Sequence, residues 1–254
     1  MKKWRHLFCA LAIMSSCATA SGDDDFDDDE LQVQRWAVLG DMQAQNTLAL
    51  SYLNGDFGYQ NVDEARFWLK RAAEQGHPGA QTNLGLLYLS SHTNAEEMQQ
   101  AVDLLYQAAE QDFAAAQLVL GSLHESGTLL PHSYIEAAAW YQDAAEQGNA
   151  SAQYHLAMLY LNGSGVPKDE KQAAYWLNLA AVQELSSAEF ELGRQYLYGA
   201  GVPKDILLAY QYLLKASINV GSKAIDSRDL VNTGLTAEQL AAIQEDSRHW
   251  QFKS

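Results

Sequence analysis

The chain has 254 residues, 48% of them hydrophobic and 19% charged, with a formal net charge of −16, a composition that suits a soluble protein built as one large domain or a repeat array. The acidic balance excludes binding to a phosphate backbone, which needs clustered Lys and Arg, and docking on anionic lipid heads. No nucleic-acid partner is expected.

Lys2, Lys3 and Arg5 make a basic start, Leu7 to Met14 a short apolar run, and Ala18-Thr19-Ala20 a small-residue cleavage site. That order reads as an export signal over residues 1–20, cut between Ala20 and Ser21. The apolar run is eight residues long, whereas a spanning helix needs about 20. The expected location is the periplasm or envelope of a bacterium, or its exterior. A second reading takes Cys17, preceded by Met14-Ser15-Ser16, as a lipid attachment point, although Met14 stands where Leu is usual. Both cysteines, Cys9 and Cys17, lie in this segment. A chain cut before Ser21 therefore has no disulfide, no thiolate metal site and no cysteine nucleophile, and no membrane insertion is expected of it. Losing Lys2, Lys3 and Arg5 takes the net charge to −19.

Residues 21–30 carry seven acids in the eight positions from Asp23 to Glu30. Like charges at that density repel one another, so the segment reads as an acidic disordered spacer. The alternative, a tail for calcium or a basic partner, lacks the central Gly of a calcium loop.

From Asp41 a period of 36 residues holds without insertion. Ala44, Ala80, Ala116, Ala152 and Ala188 form one column; Leu48, Leu84, Leu120, Leu156 and Leu192 form another. The next position is always small: Ala49, Gly85, Gly121, Ala157, Gly193. Three further on stand Tyr52, Tyr88, His124, Tyr160 and Tyr196. Alanines recur again from Ala65 and from Ala72 at the same interval. Five units result, at 41–76, 77–112, 113–148, 149–184 and 185–220. Each reads as two helices, because the recurring positions in each half fall on one helical face. Helices of about 13 residues are marginal alone in water, so each needs neighbours over its apolar stripe.

The loop phrase YLNGSGVPKD, Tyr160 to Asp169, returns as YLYGAGVPKD, Tyr196 to Asp205. Gly163 suits a left-handed helix stop, Gly165 relaxes the turn, Pro167 forbids continuation, and Asp169 caps the next helix with Gln172 as its capping-box partner. Asn61 with Glu64 and Ser133 with Glu136 repeat that box; Asp205 lacks the partner. The ends read as caps. Residues 31–40 match the end of a unit and form a half repeat. In 221–254, Thr236 with Gln239 starts a final amphipathic helix through Leu240, Ile243 and Trp250.

The pattern Ala-x-x-x-Leu-Gly-x-x-Tyr-x-x-Gly, then Gly-Val-Pro-x-Asp, Ala, Trp-Leu and Ala-Ala, resembles the Sel-one-like repeats (SLR), relatives of the tetratricopeptide repeat. AQYHLAMLYLNGSGVPKDEKQAAYWLNLAA, Ala152 to Ala181, is the clearest copy. The resemblance runs from about Gly40 to Gly221. It implies an all-α fold: a right-handed α-solenoid of five 36-residue helix-turn-helix repeats with N- and C-terminal capping helices. Ser91, Gly127-Thr128-Leu129 and His124 depart from the pattern. A branch of the family linked to penicillin binding carries paired cysteines in each repeat. This chain lacks them, and that activity does not transfer.

No chemistry-bearing motif stands out. There is no His-Glu-x-x-His, nucleophile elbow, dinucleotide fingerprint or phosphate loop, so no catalytic residue, metal or cofactor is expected. His124 and His155 lie on the first helices of adjacent units. They read as a metal pair or pH switch, or else as a tyrosine substitute in the core and a groove-lining residue. Glu74, Glu110 and Glu146, each followed by Gln, recur with the period and mark structure. Trp68, Trp140 and Trp176 share a column and read as hairpin core. By analogy with tetratricopeptide packing, the concave face is lined by positions two, six and ten after the first alanine. There Leu118, Tyr154, Met158, Phe190, Arg194 and Tyr198 form an apolar and aromatic patch expected to bind a protein or peptide, a basic one in particular; Tyr and Arg are common anchors. The alternative is that Leu118, Met158 and Phe190 simply pack on the next repeat. The expected function is an exported, non-catalytic interaction scaffold. The alternatives are an immunity protein that neutralises a secreted toxic effector, and a cell-wall or β-lactam-hydrolysing enzyme.

Overall fold

The structure, a computed structural model, describes residues 26–91 and 94–220. The export signal, the Ala20/Ser21 cut, Cys17 and the C-terminal caps at 221–254 lie outside the described residues. Among the described residues there are eleven α-helices and no strand: α1 Phe26–Val38, α2 Met42–Asn54, α3 Val62–Glu74, α4 Pro78–Ser91, α5 Ala95–Ala109, α6 Ala114–Ser126, α7 Tyr134–Glu146, α8 Ala150–Asn162, α9 Glu170–Val182, α10 Ser186–Tyr198 and α11 Ile206–Val220. A single helix is followed by five hairpins, α2/α3 through α10/α11, as the period requires. The chain divides into two compact units, one ending at Leu120 and one beginning at Gly121. Within the first, α1 to α5 pack each on the next; within the second, α7 to α11 do the same. Helix α1 begins at Phe26, so the last residues of the segment expected as an unfolded spacer are helical. Acidic residues favour a helix N-terminus, where the dipole is positive.

Four of the five second helices start where the sequence places their caps, and α5 starts three residues earlier in the register, behind Asn94. Asn61, Asn94 and Ser133 accept from the backbone N–H three residues on. Asp169 and Asp205 each accept two such bonds. The capping box does not form as expected, because the cap's own N–H is already committed. Asn61, Ser133, Asp169 and Asp205 donate it to the carbonyls of Tyr52, His124, Tyr160 and Tyr196 at 3.0 Å. Those carbonyls belong to the last turn of the preceding helix, where no intrahelical partner exists. The bond closes these four loops and explains why they share one length; the α4/α5 loop, between Ser91 and Ala95, is shorter.

Gly165 does more than relax a turn. It has φ +72, and a Cβ there would run into the backbone carbonyl of Tyr134 at the start of α7. Gly201 stands in the same relation to Glu170 at the start of α9. The second loop glycine is therefore the point where one hairpin's loop lies against the first turn of the second helix of the hairpin before it.

Buried glutamines link successive helices. Gln45, Gln81, Gln117 and Gln153 follow the first alanine of four units and are 2–4% exposed. Each Nε2 donates to the carbonyl eight residues back, of Ala37, Ala73, Ala109 and Ala145, at 3.0–3.4 Å. The glutamines that recur every 36 residues from Gln75 reach the same side chains. Gln75 donates to Gln45 at 2.8 Å, Gln111 to Gln81 at 2.9 Å, and Gln183 to Gln153 at 3.0 Å. In the fifth unit Glu189 takes the column's place, 4% exposed. Burial raises its carboxyl pKa, against the pull of Lys215 and with the push of Glu184.

The core of each hairpin is the column after the tryptophans: Leu69, Leu105, Tyr141, Leu177 and Leu213 are 0% exposed. A fully buried leucine contributes about 1.5–3 kcal/mol. Trp68 and Trp176 are buried, as the column predicts, while Trp140 and Tyr212 are half-buried.

Two stability measurements follow. Gly165→Ala meets both backbone contact and a left-handed φ, and should cost at least about 2 kcal/mol in a denaturant titration. Glu189→Gln restores the amide and should stabilise the protein by about 1 kcal/mol at pH 7. The folded pKa of Glu189 lies above its unfolded value, so stability present below the unfolded value is lost as pH rises through the folded one. The gain from Glu189→Gln should therefore shrink when the titration is repeated below the unfolded carboxyl value of 4.5.

Candidate functional site

The predicted residues divide between the two units. Leu118 is half-buried on α6 in the first. The other five lie on α8 and α10 in the second. A cleft of about 270 Å³ opens there between Met158 and Leu161 of α8 and Glu191, Arg194, Gln195 and Tyr198 of α10. It brings together Met158, Arg194 and Tyr198, the last 69% exposed. Arg194 is exposed and bonds through Nη1 to the Glu191 carboxylate at 2.9 Å. Its guanidinium also lies 5.9 Å from the centre of the Phe190 ring. Phe190 itself packs on Tyr210 and Leu213 of α11, so it supports the cleft wall from behind. A cleft of about 310 Å³ in the first unit, between Lys70 and Glu74 of α3 and Asp103 of α5, contains none of the predicted residues.

Tyr154 connects the cleft to a second polar group. Burial raises its phenol pKa, and the charges of Glu191 and then Glu125 push the same way. Glu125, near the end of α6, accepts a 2.6 Å bond from the Tyr141 hydroxyl and lies 3.5 Å from Nδ1 of His155. The His155 and Tyr141 rings stack at 5.0 Å, and Tyr154 meets His155 edge-on at 5.5 Å. The cluster exists because Tyr141 occupies a column otherwise filled by leucine. Its ring fits because the small residue opposite is Gly121, where an added Cβ would come within 2.6 Å of the ring. Its buried hydroxyl needs an acceptor, and Glu125 supplies one. Burial and the Glu125 charge hold the phenol far above its ordinary pKa. The His155 contact and the Tyr141 bond hold the Glu125 carboxyl below its ordinary value, against desolvation.

His124 and His155 do not form the metal pair. His124 is buried at the tyrosine position with Nδ1 3.2 Å from the Pro131 carbonyl, while His155 faces Glu125. Among the described residues no group of three His, Cys, Asp or Glu is placed to hold a metal, and no helix is long and apolar enough to cross a membrane. Column reasoning missed Glu125, Glu191 and Gln195. The signal for Gln195 was present in the sequence: its column reads Ser51, Leu87, Leu123, Leu159, Gln195.

Tyr141→Phe keeps the ring and deletes the hydroxyl. It should cost about 1 kcal/mol at pH 7, at the low end for a charged acceptor because Glu125 is partly screened by water. The folded pKa of Glu125 is depressed, so the stability it carries is present above its unfolded value of 4.5 and lost as pH falls through the folded one. Urea titrations at pH 7 and pH 3 should show the difference between the two proteins shrinking in acid.

The Sel1 repeat family model matches residues 43–77, 78–113, 114–149, 150–183 and 186–219. Among solved structures, a protective antigen present in uropathogenic Escherichia coli strains, with an SLR fold, is 32% identical over 89% of this chain at a TM-score of 0.77. The match spans only 49% of that antigen's length. A Sel1 repeat protein from Oxalobacter formigenes is 25% identical over 87% of this chain and 98% of its own, at a TM-score of 0.70. No curated protein matches the chain. With its helical hairpins and five matched repeats, the chain belongs to the Sel1 repeat family.

Proposed function

We propose that the protein is an exported scaffold that binds a peptide segment of a partner protein on the α8/α10 face of its second unit, and that it does so without catalysis. Sel1 repeats commonly serve as protein-interaction scaffolds. The observation that carries the reading to this face is the cleft itself. It sets a 69% exposed tyrosine and an exposed arginine over a methionine and leucine floor, and these are the side chains that concentrate binding energy at interfaces. The charges of Glu191 and Glu125 both act on Tyr154, and the chain carries a net charge of −16. Both favour a basic partner through steering and complementarity. Export rests on the basic, apolar and small-residue order of residues 1–20.

Panning a random peptide library on the purified protein should select sequences rich in Lys and Arg. Tyr154→Ala combined with Tyr198→Ala should weaken the selected peptides about 30-fold by fluorescence polarisation, the loss of one strong interface anchor. Peptides without basic enrichment, or binding that ignores both tyrosines, would remove the reading.

A further inference from the structure

The cleft contains a polar group that the fold leaves unfinished. Gln195 is 7% exposed, and its Oε1 is buried without a hydrogen-bond partner. It occupies the α10 position whose counterparts Leu87, Leu123 and Leu159 are buried leucines, 2–8% exposed. A leucine there would pack and need nothing. The glutamine brings an amide into the apolar seam and leaves its carbonyl oxygen unmatched, a burial that destabilises a fold unless a partner arrives. The residue lines the open cleft, and a half-turn of its terminal amide carries Oε1 toward a molecule in the cleft.

We propose that Gln195 and Arg194 form a subsite for a peptide main-chain amide. The missing partner of Oε1 is a donor, and a peptide N–H supplies one. Among the described residues, the Arg194 hydrogen bonds all leave from Nη1 and end on Glu191. The guanidinium has five N–H groups in all, and those on Nε and Nη2 suit the carbonyl of the same ligand. A donor and an acceptor side by side match an amide better than an ion: a carboxylate has no proton for Oε1, and an ammonium would sit against Arg194. Met158 and Leu161 then favour an apolar side chain beside that amide, and Tyr198 covers it from the solvent side. The subsite rests on the peptide-binding reading of this face and refines it by naming the chemical group that is held.

The test uses N-acetyl-leucine N-methylamide and its analogue with both N–H groups replaced by ester oxygen. Each is titrated into the ¹⁵N-labelled protein, with the Gln195 side-chain amide and the neighbouring backbone as reporters. The amide should saturate, and the diester should bind about 10-fold more weakly, the size expected of one well-made hydrogen bond. Gln195→Leu should abolish the preference for the amide and raise the thermal midpoint by roughly 2–4 °C. Equal binding of amide and diester to the wild-type protein, or a preference that survives Gln195→Leu, overturns the subsite. N-acetylglucosamine, which also carries an amide N–H, is a third probe; if it saturates the same signals more tightly than the leucine amide, the peptide assignment falls. If panned peptides depend on Tyr154 and Tyr198 while Gln195→Leu changes nothing, the subsite fails and the binding face stands. If the amide probe binds through Gln195 but panning yields no peptide, the reverse holds.

Discussion

A buried glutamine amide that reaches back to the end of the preceding helix is the contact on which four of the five repeats depend. Thirteen-residue helices end with carbonyls that have no intrahelical partner, and close packing keeps water from them. An aliphatic side chain at this position would fill space and leave the carbonyl with only the backbone N–H three residues on, as Ala37 has from Gly40; a carboxylate would repel it. The amide donates to the carbonyl and accepts from the next glutamine, as Gln45 does between Ala37 and Gln75. Three successive helices are thus tied by directional bonds. Alanine and glycine columns let helices come close, but a smooth contact slides. The glutamines fix where along its length each helix stops.

Against that regular frame, the departures in the second unit acquire meaning. Besides His124 among tyrosines, three residues break their own columns: Tyr141 among leucines, Glu189 among glutamines, and Gln195 among leucines. The fold resolves the first completely, with Gly121 making room and Glu125 accepting the hydroxyl bond. It resolves the second in part, through the charge of Lys215. The third it leaves open, with a buried oxygen beside a cleft. A polar residue in an apolar seam is common enough when matched. Unmatched and next to open space, it is the observation on which the proposed subsite rests.

The fold was legible in the sequence because repetition turns one weak pattern into five agreeing ones. The period alone placed five hairpins, their second-helix caps at Asn61, Ser133, Asp169 and Asp205, and the small residues opposite the hairpin core. It did not reveal where the caps' own N–H groups go, because the acceptors are carbonyls and carry no side-chain signature. The loop's second glycine was read as local turn chemistry, and its contact with Tyr134 or Glu170 is visible only in three dimensions. The site was legible by halves. Variable columns picked out Met158, Arg194 and Tyr198, which share the cleft. They also picked out Phe190, which varies because it packs on Tyr210 and Leu213. Gln195 escaped because it lies in a column that looks structural, and an exception is informative only after the column's burial is known.

The loop contacts also bear on how strongly such a cleft can bind. Ala200 stands on the cleft's rim and donates its N–H to the Gln195 carbonyl at 3.0 Å. The next residue, Gly201, lies against the backbone of Glu170 at the start of α9. The rim is therefore held by backbone contacts that need no ligand, and the cleft wall from Gln195 to Gly201 is set before anything enters. Binding to a preformed site loses less to ordering of the protein, so a few well-placed groups suffice where a flexible loop would need many.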